Sequence, residues 1–330
     1  MSKIKVKIAD RYGIDNANRW KKQFPTKDYT WKDCKFYFDD DDIDYDWYVT
    51  RNDIPKNKNK KENVFCPKDN TILFTSEPPS ITKYGNKFCN QFGKVLTSHN
   101  EQSLQHPKAI RSQSCNIWLY EKCFNDIIKD ESIKKSKLFS TICSSKQMSH
   151  TNHSLRYNFT KMINNKISEF NWFGKGVKLI DKKINAIDPY KFHLTIENDS
   201  LEHHWTEKIA DAYLGLSVPI YYGCKNILDY FPEESLILID INNFDKSLEI
   251  IKKAIYEKDG YEKRLSALIE ARRRVLYEYN LPAVISNIIS SSSIREKSDE
   301  KHVINSRRFM RTKHPKELYE FIKWKINNIF

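Results

Sequence analysis

Glu207 and Lys208 open an amphipathic helical pattern in the segment TEKIADAYLGL, where apolar side chains recur at spacings of three and four residues. Thr206 precedes them and is a good helix N-cap, so the helix is predicted to begin at Glu207. Free amide groups and partial positive charge at a helix N-terminus favour anions. Lys208 is therefore suited to bind a diphosphate, and Glu207 to accept hydrogen bonds from ribose hydroxyls. A surface Glu–Lys pair that opens an ordinary helix is the alternative.

This helix belongs to the second of two α/β patterns along the chain. In the first pattern strands alternate with helices, and the strands are IKVKIAD, DWYVTRND, TILFTSEPP and KVLTSH. The second pattern contains the strands KLFSTICSSK, EFNWFGKG, KFHLTIEN, SVPIYYG and SLILIDI, and helical spacing follows Asp245. Such alternation predicts parallel sheets with covering helices. The polar connection DIIKDESIKKSK predicts a domain boundary near residue 135.

Two basic segments lie outside these patterns. The Lys/Asn-rich segment 54–62, IPKNKNKKE, has no apolar periodicity and predicts a solvated loop. The C-terminal segment SRRFMRTKHPKELYEFIKWKINNIF is basic and amphipathic. This tail either packs on its own protein or lies on a membrane surface, and the sequence leaves both interpretations open.

The composition indicates a globular protein with anionic partners. Hydrophobic residues make up 39% and aromatic residues 13% of the 330 residues, which suffices for packed cores and favours two domains. The formal charge of +13 favours nucleic acid, anionic lipid or a nucleotide diphosphate as partner. Seven cysteines without a CxxC pair indicate reduced thiols in the cytosol. Because no long apolar run occurs, neither a secretory signal nor a membrane-spanning helix is expected.

The region around the Thr-Glu-Lys element resembles the signature region of the alpha-1,3-fucosyltransferases, glycosyltransferase family 10. The family pattern there is approximately F-x-L-x-F-E-N, then Y-x-T-E-K, a helix, and V-P-(V/I)-x-x-G. Four elements of this chain match it at the expected spacing, namely Glu197-Asn198, Thr206-Glu207-Lys208, Val218-Pro219-Ile220 and Gly223. The resemblance covers about residues 70–250 and is tightest over 190–245.

Upstream, KLFSTICSSKQMSHTNHSLRYNFTKMI resembles the family's strand, Ser-Asn turn and arginine-bearing helix. The resemblance assigns Ser145 and Arg156 to the residues that bind the donor. A guanidinium group stays charged and presents a fixed fork of donors, so Arg156 can neutralise a pyrophosphate leaving group where other transferases use a metal. A surface salt bridge is the alternative role for this arginine.

Further upstream, ILFTSEPPSITKYGNKFCNQFGKVLTSH resembles the family's strand that ends in Glu-(Ser/Pro)-Pro-Ser, and Glu77 then matches the proposed general base. An inverting transfer needs one carboxylate near the acceptor hydroxyl to take its proton as the anomeric carbon is attacked. Strand ends of this kind supply sites in open α/β folds. A carboxylate that caps the Pro-Pro turn is the alternative.

The chain departs from the family pattern at two positions, because Ile196 replaces the Phe of the F-E-N element and His204 stands where the family usually has Tyr. The resemblance places Asn198, His193 and His204 in the nucleotide pocket, while a loop position beside His203 is the alternative for His204. Donor selectivity is expected to depend on this region, so a GDP-sugar other than GDP-fucose is an alternative donor.

The resemblance implies a GT-B fold, an α/β architecture of two Rossmann-like domains that face each other across a cleft, with C-terminal helices. Residues 1–135 are expected to bind the acceptor and 136–260 the GDP-sugar, while 261–330 form helices and the basic tail. The implied activity is inverting and needs no metal or other cofactor. It transfers L-fucose from GDP-fucose to a glycan hydroxyl, in α-1,3, 1,4 or 1,2 linkage, in protein or lipopolysaccharide glycosylation. The protein is expected in the cytoplasm, with its tail available for peripheral contact with the membrane.

Two rival interpretations start from other features. The acidic run DDDDIDYD, residues 39–46, contains the D-x-D spacing by which some sugar transferases hold Mn²⁺ or Mg²⁺, although a solvated acidic loop has the same composition. The net charge and the lysine-rich segments would also suit a nucleic-acid-binding protein without catalytic activity, but no recognised binding motif accompanies them. The family resemblance favours the enzyme, without nucleic acid as a partner.

Overall fold

The chain forms two compact units in the computed structural model, which describes residues 2–38, 43–130, 133–147, 151–292 and 301–329. Residues 1–117 and 280–330 form the first unit, and residues 118–279 form the second. The chain therefore leaves the first unit once and returns to it.

The first unit opens with strands and short helices in alternation. Its elements up to residue 117 are β1 (Ile4–Asp10), α1 (Ile14–Lys21), β2 (Thr30–Trp31), β3 (Cys34–Phe38), β4 (Trp47–Arg51), β5 (Lys61–Val64), β6 (Thr71–Phe74), α2 (Asn86–Cys89), β7 (Lys94–Thr97) and β8 (Ala109–Arg111). The four strands predicted in this half of the chain are confirmed as β1, β4, β6 and β7.

The main sheet of the first unit has seven strands in the order β2-β3-β1-β4-β6-β7-β8. Its pairs are parallel except for β2 with β3, which are antiparallel. Val6, Ile8, Val49 and Leu73 are fully buried or nearly so, as expected for central strands with both faces covered. Because β1 has β3 on one side and β4 on the other, the strand order reverses at β1.

The second unit contains a second parallel sheet and most of the longer helices. Its elements are α3 (Phe124–Lys129), β9 (Lys137–Ile142), α4 (His153–Asn164), β10 (Phe170–Phe173), α5 (Ile184–Ile187), β11 (Tyr190–Ile196), α6 (Glu207–Leu214), β12 (Val218–Tyr222), β13 (Ile237–Leu238), α7 (Phe244–Tyr256) and α8 (Leu265–Tyr277). The predicted strands and the helix at Glu207 are confirmed, and the helical region after Asp245 is divided around Gly260.

The sheet of the second unit has five strands in the order β10-β9-β11-β12-β13, and every pair is parallel. The chain runs from β9 outward to β10 and then crosses to β11 on the other side of β9. Loops that leave the carboxyl ends of β9 and β11 diverge at this reversal, which opens a crevice between them. Ligands of open α/β sheets bind in such crevices.

The chain then returns to the first unit with four elements, α9 (Leu281–Ser290), β14 (His302–Asn305), α10 (Arg307–Lys313) and α11 (Pro315–Ile329). Strand β14 pairs antiparallel with β5, so residues 61–64 form a strand. The prediction of a solvated loop over 54–62 is therefore wrong at Lys61 and Glu62. The partner strand lies far along the chain and gives no local signal at the lysine-rich segment.

The division after residue 117 differs from the predicted boundary near residue 135. The intervening segment belongs to the second unit because its side chains are anchored there. Tyr120 donates a hydrogen bond to Asp188, Lys122 Nζ lies 3.1 Å from Asp188 Oδ2, and the Arg272 guanidinium donates to the carbonyl of Asp130 at 2.9 Å. The polar composition of this segment predicted a linker between domains, but its polar side chains and backbone form hydrogen bonds and ion pairs within the second unit.

The basic tail packs on the first unit through one face of α11. Trp324 Nε1 donates to the carbonyl of Pro79 at 3.0 Å, and Glu317 accepts a hydrogen bond from the backbone N–H of Lys87 at 2.6 Å. Phe321 lies beneath the Arg311 guanidinium, with 3.8 Å from ring centroid to Cζ. Within the residues that the structure describes, no helix is long and apolar enough to cross a membrane.

Candidate functional site

A cavity of about 310 Å³ lies at the carboxyl ends of β9 and β11 in the second unit. Its wall includes residues that follow each of these strands, together with parts of α4 and α6. Five of the predicted site residues line it, namely Arg156, His193, Asn198, Glu207 and Lys208. The structure thus brings together side chains that are separated by up to 52 positions in the sequence.

The N-terminus of α6 is fixed to the end of β11 by Glu197, whose carboxylate is fully buried. Its Oε1 accepts a hydrogen bond from the backbone N–H of Thr206 at 2.9 Å, and its Oε2 accepts one from the Thr206 hydroxyl at 2.7 Å. The Thr206 hydroxyl in turn caps the helix by accepting from the N–H of Lys208 at 3.4 Å. The predicted N-cap is confirmed, and the buried carboxylate orients it.

Lys208 lies between two carboxylates, with Nζ 3.2 Å from Glu197 Oε2 and 3.4 Å from Glu207 Oε1. Burial opposes the charged form of Lys208, but these carboxylates outweigh it and raise its pKa. Burial also opposes ionisation of Glu207, yet the Lys208 and Lys183 ammonium groups lower its pKa to about 2. Both side chains are therefore ionised at neutral pH, with the ammonium held against the helix N-terminus.

Arg156 lies on α4, and its buried guanidinium donates from Nη1 to Asn198 Oδ1 at 2.7 Å. Its Nε is buried and makes no hydrogen bond within the described residues. Asn198 also accepts a hydrogen bond through its backbone carbonyl from the N–H of Asn152 at 3.0 Å. The arginine is thus held by an amide that carries no charge, which leaves its positive charge available to an anion.

His193 is buried on β11, with Nδ1 2.8 Å from the Ser140 hydroxyl oxygen. The single proton of that hydroxyl is donated to the carbonyl of Ala186 at 2.6 Å. Nδ1 must then carry the imidazole proton and donate to Ser140, which leaves Nε2 as a hydrogen-bond acceptor. Burial and the nearby Lys183 and Lys135 ammonium groups lower the pKa of His193 to about 3, so the ring is neutral at physiological pH.

The cavity contains an ion pair that the sequence did not indicate. Lys183 Nζ lies 2.9 Å from Asp211 Oδ2, and Asp211 Oδ1 accepts a hydrogen bond from the N–H of Leu119 at 3.0 Å. Burial raises the pKa of Asp211 to about 6, although Lys183 opposes this effect. Asp211 stands one helical turn after Glu207, and this spacing is the only sequence signal that points to it. Lys183 lies in a charged loop without any such signal.

Two glycines allow the backbone to approach the cavity wall closely. A Cβ at Gly223 would lie 2.5 Å from Glu197 Cγ, and a Cβ at Gly174 would lie 2.4 Å from the carbonyl oxygen of Cys143. Gly174 also has φ +144, a conformation that residues with a side chain rarely adopt. Glycine at both positions therefore permits the packing that forms the site.

The structure places two predicted donor-binding residues away from the cavity. His204 is buried and is not among the described residues that line it. The exposed Ser145 uses its hydroxyl to donate to the carbonyl of Lys175 at 3.3 Å, while its neighbour Ser144 lines the cavity. Part of the predicted Ser-Asn turn, residues 148–150, lies outside the described residues.

Glu77 belongs to the first unit and follows the end of β6, as its sequence context predicted. Its backbone carbonyl lies 2.8 Å from Nε2 of the buried His99. The preceding residue, Ser76, donates its N–H to Asn52 Oδ1 at 2.7 Å, and its hydroxyl accepts from Asn52 Nδ2 at the same distance. Buried polar side chains therefore fix the backbone on both sides of this carboxylate.

The acidic run 39–46 lies only in part within the residues that the structure describes. Residues 39–42 lie outside the described part of the chain. Asp46 accepts a hydrogen bond from the backbone N–H of Lys5 at 2.7 Å, a structural role beside β1. Over the described ranges, no group of three or more His, Cys, Asp or Glu side chains is arranged to hold a metal ion.

Solved structures with a related fold identify its class. A crystal structure of an alpha1,3-fucosyltransferase with GDP matches 90% of this chain and 92% of its own, with a TM-score of 0.52 and 16% identity. A second structure of an alpha1,3-fucosyltransferase matches 83% of this chain and 90% of its own, with a TM-score of 0.51 and 16% identity. The chain has the GT-B fold of glycosyltransferases, as predicted.

Sequence comparison relates the second unit of the chain to one glycosyltransferase family. Residues 132–263 match the family model for the C-terminal part of glycosyltransferase family 10 (fucosyltransferase). The alpha-(1,3)-fucosyltransferase FucT of Helicobacter pylori is 35% identical over 92 residues, which are 28% of this chain and 19% of that protein. The predicted resemblance to this family is confirmed.

Two further relatives match shorter and longer parts of the chain, respectively. An alpha-(1,4)-fucosyltransferase of Arabidopsis thaliana is 46% identical over 52 residues, which are 16% of this chain and 13% of that protein. The human 4-galactosyl-N-acetylglucosaminide 3-alpha-L-fucosyltransferase 9 is 26% identical over 182 residues, 54% of this chain and 46% of its own. The chain spans less than half the length of each of the three relatives.

Proposed function

We propose that this protein is an inverting glycosyltransferase that transfers L-fucose from GDP-fucose to a hydroxyl of a glycan acceptor. The observation that carries this proposal is the cavity at the carboxyl ends of β9 and β11, where Arg156 and Lys208 meet the N-terminus of α6. The names of the relatives, which are alpha-(1,3)- and alpha-(1,4)-fucosyltransferases, support the choice of sugar.

The cavity of the second unit is the proposed donor site. Arg156 and Lys208 bind the diphosphate and stabilise the charge that develops on GDP as it leaves, with help from the amide groups that open α6. Glu207 has a pKa of about 2, so it is ionised at neutral pH and accepts hydrogen bonds from the ribose hydroxyls. Asn198 holds Arg156, and Nε2 of His193 accepts a hydrogen bond from the nucleotide. His204 and Ser145 remain predicted donor-binding residues, although neither is among the described residues that line the cavity.

Glu77 is the proposed general base. Its carboxylate takes the proton of the acceptor hydroxyl while that oxygen forms a bond to the anomeric carbon. The bond between this carbon and the β-phosphate oxygen breaks at the same time, and GDP departs with the electron pair. Because the acceptor attacks from the face opposite GDP, the anomeric configuration inverts. Two cationic side chains neutralise the diphosphate, so the reaction is proposed to need no metal.

Calorimetric titration of the whole chain tests the donor assignment. We expect GDP and GDP-fucose to bind and UDP to bind at least about tenfold more weakly, because the proposed donor carries guanine and not uracil. Equal affinity for UDP would contradict the family's donor class. An alternative donor is separated by turnover: faster transfer from GDP-mannose than from GDP-fucose would keep the reaction type and replace the sugar.

A cytoplasmic location with peripheral membrane contact is also proposed. Among the described residues the seven cysteines are free thiols, and α11 exposes Leu318, Tyr319, Ile322 and Ile326 beside exposed lysines. Apolar and cationic side chains on one helix suit an anionic bilayer surface. Sedimentation with phosphatidylglycerol vesicles, but not with phosphatidylcholine vesicles, is expected, and Tyr319→Ser with Ile322→Ser should abolish it. Sedimentation that this double variant leaves unchanged would exclude α11 as the contact.

A further inference from the structure

The first unit contains a larger cavity, of about 760 Å³, that the proposed donor site does not include. It lies at the carboxyl ends of β1 and β4, where the strand order of the seven-stranded sheet reverses. This is the position at which open α/β sheets bind ligands. The volume falls within the range of sites that enclose small organic molecules.

Cationic side chains dominate the lining of this cavity. Two carboxylates, Asp15 and Glu62, are opposed by six cations, namely Lys7, Arg11, Arg19, Arg51, Lys56 and Lys58. Half of these cations are balanced locally, since Arg11 pairs with Asp53 at 2.6 Å, Arg51 with the buried Asp10 at 3.6 Å and Lys58 with Glu62 at 3.7 Å. Arg19 and Lys56 have no carboxylate within 4.0 Å among the described residues. The cavity therefore carries uncompensated positive charge.

Arg51 is held in place by several contacts in the first unit. Its guanidinium stacks near Tyr12 and Trp20, at 5.8 and 5.9 Å from the ring centroids. Nε donates to the Ser76 hydroxyl at 3.1 Å. Nη1 is buried and makes no hydrogen bond in the described part of the chain, because the nearest paired carboxylate oxygen, on Asp10, is 3.6 Å away. A fixed guanidinium with an unused donor is the arrangement that binds an oxyanion.

Two neighbours complete the features expected of a site for an acidic sugar. Tyr12 is 48% exposed, and Lys56 Nζ lies 4.6 Å from its ring centroid, which places an aromatic face beside a cation. Helix α1 begins at Ile14 after Gly13, and its first turn lines the cavity. The partial positive charge of this helix N-terminus adds to that of the side chains, although Asp15 offsets part of it.

The cavity is connected to the proposed general base within the same unit. Ser76 accepts hydrogen bonds from both Arg51 Nε and Asn52 Nδ2, and Glu77 follows it directly. A ligand that binds Arg51 would therefore contact a residue that is hydrogen-bonded to Ser76, the neighbour of the proposed general base Glu77.

We propose that this cavity binds the acceptor and that the acceptor is an acidic glycan, one that carries a carboxylate or a phosphate group. The glycan part of this inference rests on the proposed transferase function. The anionic part rests on the charges of Arg19 and Lys56, which would have no counterpart in a neutral sugar, and on the unused Nη1 donor of Arg51.

Calorimetric titration without any sugar donor tests the cavity directly. The probes are N-acetyllactosamine, its 3′-sialyl derivative as the carboxylate and its 6-phosphate as the phosphate. We expect at least one acidic probe to bind about tenfold or more tightly than the neutral one. Arg19→Gln with Lys56→Gln should remove this preference, because neither of these exposed cations has a carboxylate partner among the described residues. Lys27→Gln with Lys87→Gln removes the same charge from exposed positions outside the cavity and should keep the preference.

Each remaining outcome of this titration is decisive. Equal affinity for acidic and neutral probes, or equal losses in the two double variants, would overturn the proposal. A thymidine decanucleotide that binds in a cavity-dependent manner, while no acidic glycan does, would replace it with nucleic-acid binding. GDP is titrated into the same samples as a control for the proposed transferase function. If the wild-type protein binds GDP but shows no preference for acidic glycans, only the proposed acceptor class is refuted. If it does not bind GDP, the proposed transferase function is refuted.

Discussion

Glu197 is not among the described residues that line the cavity of the second unit, yet it fixes the position of Lys208, which does line it. Its buried carboxylate accepts hydrogen bonds from the backbone and hydroxyl of Thr206 and pairs with Lys208. A buried carboxylate is stable only when its partners compensate for the lost hydration. The three contacts provide that compensation, and in return they fix the helix cap and the ammonium group together. The position of Lys208 is therefore set before any donor binds.

Replacement of Glu77 by glutamine tests the general base. Glu77→Gln keeps the shape of the side chain but removes its ability to take a proton, so turnover should fall by a factor of about 10² or more. GDP affinity should stay nearly unchanged, because Glu77 is not among the described residues that line the proposed donor cavity. Steady-state kinetics and GDP titration measure the two effects. Turnover at the wild-type rate would exclude Glu77 from the role.

Lys208→Met tests diphosphate binding with a matched control. The variant keeps the aliphatic stem and removes the charge, so GDP affinity should fall by about tenfold to a hundredfold. Lys225→Met makes the same change at an exposed position of the second unit and should leave affinity unchanged. Because Lys208 also balances Glu197, thermal unfolding is recorded for both variants. Similar GDP affinity in the two variants would contradict the assignment.

The neutral state of His193 predicts a dependence of stability on pH. Its folded pKa of about 3 lies below the usual 6.5, so between these values the unfolded chain binds a proton that the folded chain does not. The free energy of unfolding should therefore fall as pH falls from about 6.5, by up to about 1.4 kcal/mol per pH unit from this group. His193→Gln should remove that part of the slope in urea unfolding at several pH values. Parallel slopes for the two proteins would show that His193 does not stay neutral.

At the scale of elements, periodicity predicts those whose stabilisation is local or whose apolar pattern is strong. Strands β1, β4, β6, β7 and β9–β12 and helix α6 appear where the sequence indicated them. Strand β14, His302–Asn305, has only four residues, two of them apolar, and it exists because β5 pairs with it from far along the chain. Its formation depends on tertiary context, so a local pattern could not predict it.

The same limit applies to the site. Glu207 and Lys208 were predictable because a helix start has a local signature, whereas Lys183 approaches them only after the chain has folded back. The roles of Gly223 and Gly174 likewise require knowledge of which atoms face them. The surroundings of Glu77 depend on His99 and Asn52, which come from other strand ends of the same sheet.

Gly223→Ala tests the packing between β12 and the end of β11. The added Cβ would lie 2.5 Å from Glu197 Cγ, so Glu197 must move and its hydrogen bonds to Thr206 must weaken. We expect the free energy of unfolding to fall by about 1–3 kcal/mol and GDP affinity to fall with it. Chemical denaturation and calorimetry measure the two quantities. Wild-type GDP affinity in a destabilised variant would show that the contact supports the fold and not the site.

At the scale of the whole molecule, the positions of the cationic side chains indicate which anions the excess positive charge can bind. Each unit holds a cavity at the point where its own sheet reverses, and each cavity is lined by arginine and lysine side chains. Anions are the common requirement of a nucleotide diphosphate and an acidic glycan. The net charge of +13 therefore fits two separate substrates better than one continuous nucleic-acid surface.

Removal of divalent metals tests how the diphosphate is neutralised. Activity should survive excess EDTA, since Arg156 and Lys208 provide the positive charge that a metal provides in other transferases. Initial rates with and without EDTA, each with and without added Mn²⁺, measure this. Loss of activity in EDTA that Mn²⁺ restores would redirect attention to the acidic run at 39–46.

The discontinuity of the first unit sets the order in which the protein can be completed during synthesis. Domains usually finish folding in the order in which they leave the ribosome. Here residues 118–279 emerge in full while the first unit still lacks α9 and β14, the partner of β5. The nascent chain can therefore fold its second unit first, and the first unit must wait for residues 280–330.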